Sequence, residues 1–149
     1  MITKLFIAFV LMALCVALHA IGLVGAIRRF ERSPALAAGH LWPSTWLLIR
    51  VASWLVLLHL VEIALWALPY TWGHAMPNAH SAFYFSAVTY TTTGYGDLVL
   101  PENWRLLGGV EALTGILMCG WSTAFFFAIL SNIYRMQQAK ISGSRPDAG

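Results

Sequence analysis

Few residues in this chain of 149 can do chemistry, and most of them stand where charge is costly. Glu62 and Glu111 each interrupt a long apolar run. A carboxylate in such a place is retained when it is paired or hydrated, which makes both functional candidates. Three roles are open to them: a structural clamp, a proton sensor or a ligand sensor. His59 and Glu62, spaced i, i+3, share a helix face and make half of a metal site, but no second pair stands at ligand spacing, so a metal is not indicated. His19 lies in another apolar run and reads as a hydrogen-bond donor between packed helices. His74 and His80 fall in a polar stretch and read as solvated, with modulation by titration near neutral pH as the alternative. Cys15 and Cys119 have no partner at CxxC spacing; neither a disulfide framework nor a zinc site follows, and both read as small buried hydrophobes. One run remains. Residues 89–97 are Thr-Tyr-Thr-Thr-Thr-Gly-Tyr-Gly-Asp, and what they offer is backbone. Gly94 and Gly96 reach positive φ without a Cβ clash, which lets successive carbonyls point toward one axis instead of alternating as in a strand.

The elements that position these residues follow from composition. Hydrophobic residues make up 59% of the chain and charged residues 10%, against about 25% charged in a soluble domain. That excludes an ordinary water-soluble globule and makes the bilayer the solvent. Nine basic and six acidic residues are too few and too scattered for a phosphate-binding face, so nucleic acid is not a partner. Leu5 to Ile27 is an uncharged apolar run long enough to span, and the first helix is placed within residues 1–27. It exceeds the core of a signal peptide, and Arg28, Arg29 and Arg32 anchor it at once. Residues 28–45 read as a connecting loop. A second span, residues 46–68, ends at Pro69, with Arg50 as a snorkelling anchor. Residues 81–92 are too short to cross and read as a re-entrant helix with Ser81 as its N-cap. Pro101, Glu102 and Asn103 signal a third span over 104–134, and residues 135–149 form a short, frayed tail. Trp42, Trp46, Trp66, Trp72 and Trp104 fit interfacial belts.

Arg28, Arg29, Arg32, Arg50, Arg135, Lys140 and Arg145 fall on one side of this three-span arrangement, against Lys4 and Arg105 on the other. The N-terminus is therefore expected outside, the 28–45 loop and the tail in the cytoplasm, and the re-entrant segment entering from outside.

The 89–97 run resembles the potassium-channel signature TxxTxGYGD, with Thr89, Thr92, Gly94, Tyr95, Gly96 and Asp97 each on a motif position. Residues 83–88, Phe-Tyr-Phe-Ser-Ala-Val, are similar to the aromatic-rich run before the filter in voltage-gated and two-pore-domain potassium channels. The resemblance covers Ser81 to Asn132 well and the second span by position. It implies an all-α integral membrane protein: three transmembrane helices, a re-entrant pore helix and a selectivity filter over 92–97, within a pore module spanning 46–134. Potassium would be held by Thr92 through carbonyl and hydroxyl, and by the carbonyls of Thr93, Gly94 and Tyr95, with Gly96 completing the strand. The Tyr95 ring would pack away from the ions into the pore helix, whose partly negative C-terminus would favour a cation in the cavity. Tyr84, Thr89 and Asp97 would support the filter. One chain gives one filter strand, so a homotetramer in a lipid bilayer is implied.

Two departures stand out. Thr93 replaces the usual Val or Ile and needs a partner for its hydroxyl behind the filter. Tyr84 replaces a Trp, and its phenol can donate to Asp97 instead. Gly115 and Gly120 interrupt the inner helix; a gating hinge and close helix packing are equally open for them. The single span before the pore unit carries no repeated arginines, so voltage sensing is not supported. No enzyme activity and no cofactor are expected, potassium being the permeant species, and the regulatory partner is unspecified. The function expected is passive, potassium-selective conduction, in a bacterial inner membrane. The rivals are a weakly selective cation channel and a non-conducting accessory subunit of a transporter. A membrane thiol or quinone oxidoreductase would want the paired cysteines that are missing.

Overall fold

The computed structural model describes residues 2–30 and 41–143. Four α-helices and one short 3-10 turn account for its regular structure: α1, Ile2–Phe30; α2, Leu41–Trp72; α3, Ala79–Tyr90; the turn, Glu102–Trp104; and α4, Arg105–Gly143. There is no strand among the described residues. α1, α2 and α4 are long and apolar enough to cross a membrane. α3 is not; its 12 residues rise about 18 Å, little more than half of a hydrocarbon core.

The helices run past several ends expected from sequence. α2 includes residues 41–45, where Pro43 falls in the first turn and no intrahelical N–H is lost. It also continues through Pro69. A proline this near the end removes only one ladder bond, and the last turn is closed by Thr71 Oγ1 donating to Ala67 O at 3.0 Å and by Gly73 N donating to Pro69 O at 2.9 Å. α4 extends into the expected tail as far as Gly143, because residues 135–142 contain no helix breaker. Arg32, Pro34 and Gly39 of the expected loop, and Arg145 of the tail, lie outside the described residues.

α3 starts two residues before its expected position. Asn78, with extended φ −158° and ψ 169°, is the cap; its Oδ1 accepts from Ser81 N at 2.8 Å. Ser81 is thus the third helical residue, and the signal was obscured because both residue types are good caps.

Two apolar clusters hold the bundle. One surrounds α3 and includes Cys15, Ile63, Trp66, Tyr70, Phe85 and Met118; the other joins Leu23, Leu47, Val51 and Ile133. Trp66 is fully buried, so it belongs to this packing and not to an interfacial belt, whereas Trp42 and Trp72 are exposed. Cys15 is buried as expected, but Cys119 faces outward on α4. At the other end of the bundle Lys4 Nζ sits 4.0 Å over the Trp104 ring, which brings the start of α1 beside the start of α4.

Candidate functional site: the segment after the pore helix

Residues 91–97 leave α3 as exposed backbone. The helix ends at Thr91, whose Oγ1 donates to Ala87 O at 2.7 Å, and the chain turns with Thr92 N donating to Thr89 O at 2.9 Å and Gly94 N to Val88 O at 3.0 Å. Thr92, Gly94 and Gly96 have φ of 59°, 51° and 79°. Residues of positive φ therefore alternate with Thr93 and Tyr95, which lack it. The glycines accept this freely, but Thr92 is β-branched, and the left-handed region costs such a residue about 1–3 kcal/mol. Nothing in the sequence signalled it. Thr92 stands where a helix is most often closed by glycine, so the signal would have been the position and not the residue type.

The structure places the supporting residues as follows. Tyr84 OH donates to Asp97 Oδ2 at 2.8 Å, across an exposed edge, and the carboxylate beside it holds the phenol above its ordinary value of 10.0. The Thr91 hydroxyl proton is already given to Ala87 O, so at the 2.9 Å contact Thr93 donates to Thr91 Oγ1. The partner of Thr93 is thus two residues back in its own strand and exposed, not behind the filter. Tyr95 is 72% exposed, so the pore helix of its own chain leaves most of it uncovered. Thr89 is half-buried and its methyl group faces Gly108.

Both membrane carboxylates reach α3. Glu111 on α4 accepts from Tyr70 OH at 2.7 Å and is paired with the Ser86 hydroxyl, which also lies 2.8 Å from Ile63 O. Glu62 on α2 accepts from Tyr90 OH and pairs with His19 Nδ1 of α1 at 2.9 Å. Their partners on α3 are side chains. Glu62, Glu111 and His19 are fully buried. His19 adds to His59 and Glu62 the third group that sequence spacing lacked, with ligand atoms within 4.8 Å of one another; each of these atoms is engaged in a hydrogen bond, and no metal is assigned. His74 and His80 are exposed.

The two glycines of α4 separate. A Cβ on Gly115 would lie 1.8 Å from Tyr90 O and 2.7 Å from Tyr90 C, whereas one on Gly120 would meet nothing within 4 Å. Gly115 is the seat of the pore helix's C-terminal end, which is the packing alternative.

A short helix packed against membrane-spanning helices leads here into an exposed segment with positive φ at every second residue from 92 to 96. The ion-channel family model matches residues 46–132, and the chain belongs to that family, within its potassium-channel pore-loop members. Over 68 residues, 44% of this chain, it is 38% identical to the potassium voltage-gated channel protein Shal of Drosophila melanogaster. The matched stretch is 12% of that relative's length. No solved structure matches. The chain is therefore a membrane-spanning member of the ion-channel family, of potassium-channel type.

Proposed function

We propose that the chain is one subunit of a homotetrameric channel that conducts potassium selectively and passively through carbonyls of Thr92, Thr93, Gly94 and Tyr95, with Gly96 and Asp97 at the outer end. The alternation of left-handed φ at Thr92, Gly94 and Gly96 carries the reading. Dehydrating potassium needs a close ring of oxygen ligands, and a strand whose carbonyls face one side supplies it when repeated about an axis. The exposure of residues 91–97 and of the Tyr95 ring supports assembly, since neighbouring subunits would cover what this chain leaves bare. α3 aims its C-terminus at the filter's inner end, where the helix dipole favours a cation. The permeant ion needs no cofactor. We place the N-terminus outside and the end of α4 in the cytoplasm from the distribution of basic residues.

Potassium-gradient-driven flux into liposomes tests the reading, with sodium and barium as comparators. Barium-sensitive potassium flux that Gly96→Ala abolishes is expected, because at φ 79° a Cβ is strained even in open space. Equal sodium flux would refute selectivity, and flux surviving in Gly96→Ala would refute the filter.

A further inference from the structure

Five side chains from all four helices close a ring of hydrogen bonds. Glu62 Oε1 pairs with His19 Nδ1 at 2.9 Å, and His19 Nε2 with Ser122 Oγ at 3.1 Å. Ser122 Oγ pairs in turn with His59 Nε2 at 3.0 Å, and His59 Nδ1 with the Tyr90 oxygen at 3.2 Å. The Tyr90 hydroxyl donates to Glu62 Oε2 and completes the circuit. His19, Glu62, Tyr90 and Ser122 are buried, and His59 is 17% exposed. The histidine rings also meet at a tilt of 42°, with centroids 5.3 Å apart, and the Trp121 ring lies tilted beside His19 at 5.5 Å. The other titratable groups near the ring are the buried Cys15 of α1 and the exposed Cys119 of α4, with Glu111 of α4 beyond Cys15.

Each link needs one proton on its line, so the ring needs five. A carboxylate brings none; the phenol and the serine bring one each; a neutral imidazole has one N–H, on either nitrogen. The total is four. In that state one link has two lone pairs facing each other in a buried site, a costly arrangement. One more proton fills it, and the count is the same whether that proton makes Glu62 a carboxylic acid or makes either histidine an imidazolium. It also makes the cluster neutral overall.

We propose that the ring of His19, His59, Glu62, Tyr90 and Ser122 is a proton-binding site that takes up this one proton and thereby ties α1 and α2 to the pore helix and α4. Tyr90 is the last residue of α3, two before Thr92, and its carbonyl rests on Gly115. Release of the proton breaks one link and leaves a buried negative charge, so the support of the filter loosens and conduction falls as pH rises.

The proton count is tested on the full chain in liposomes by nitrogen NMR of labelled histidine and by infrared spectroscopy of the Glu62 carboxyl, across about pH 5 to 8. One proton is expected to leave in a single step seen together at His19, His59 and Glu62. Glu62→Gln keeps the shape of the side chain, and its carboxamide accepts from His19 and donates to Tyr90, so the ring closes with no added proton and neither histidine titrates. Ser122→Ala removes two links and one proton; the three links that remain are filled by the phenol and the two neutral imidazoles, so no added proton is held. Ionised Glu62 with one N–H on each histidine throughout would overturn the site, as would histidine titration unchanged by Glu62→Gln. The conductance arm rests on the channel reading: wild-type potassium flux falls about tenfold over this range and Glu62→Gln flux changes less than about twofold. A flat wild-type profile would overturn the coupling to conduction. Absence of flux from every variant at every pH would defeat the channel reading instead, with the spectra still deciding the proton site.

Discussion

Replacing Gly115 by Ala tests whether the pore helix is seated on α4 at that point. The added Cβ would lie 1.8 Å from Tyr90 O. Ordinary van der Waals contact begins at 3.4 Å, so the carbonyl must retreat by about 1.6 Å. It cannot swing aside as a side chain would, because it belongs to the helix terminus that Thr91, Thr92 and Gly94 close with hydrogen bonds. Overpacking of buried sites costs about 1–3 kcal/mol, and an obstacle made of main chain belongs at the upper end, about 3 kcal/mol, with the filter displaced as well. The assay is the thermal unfolding midpoint of the reconstituted protein together with potassium flux, with Gly120→Ala as the control. That control meets no atom within 4 Å and replaces a mid-helix glycine, so it is expected to stabilise by up to about 1 kcal/mol. A Gly115→Ala protein as stable as wild type but unable to open would refute the packing argument and restore the hinge.

Two other outcomes are specific. Tyr84→Phe removes the hydrogen bond to Asp97, and conduction is expected to decline faster during sustained opening; an unchanged time course recorded in single-channel or flux experiments would dispose of that link. The Ser86 hydroxyl has one proton and faces two acceptors, Ile63 O and Glu111, which a proton on the Glu111 carboxyl resolves by donating to Ser86. Glu111→Gln supplies an N–H at the same place and is expected to stay within about 1 kcal/mol of wild type, whereas Glu111→Ala leaves the buried Tyr70 hydroxyl unpartnered, Ser86 keeping Ile63 O, and costs about 1–3 kcal/mol. Equal losses in the two variants, measured by denaturation in detergent, would show that the carboxyl is not protonated.

The three spans and the half-length helix were legible because a bilayer makes hydropathy and length decisive, and every buried backbone group must be paired within its own helix. The run from Thr89 to Asp97 was legible for a related reason: what matters there is backbone, and glycines at 94 and 96 announce their conformation in the sequence. Helix ends were less so. Pro69 read as a stop, yet the last turn continues past it because Thr71 and Gly73 supply the bonds that close it. Ser81 and Asn78 are both good caps, and only the backbone angles of Asn78 chose between them.

What the tertiary structure alone decided is which distant residues meet. His19, His59 and Glu62 carried no pattern beyond one i, i+3 pair, and Tyr90 and Ser122 carried none at all, because a ring drawn from four helices has no period along the chain. Gly115 and Gly120 looked alike until Tyr90 O was found against one and open space against the other. Local chemistry, which depends on a residue and its near neighbours, is written in the order of residues; contacts across helices depend on rotation and depth of packing, and those are fixed by the sum of all side chains at the interface.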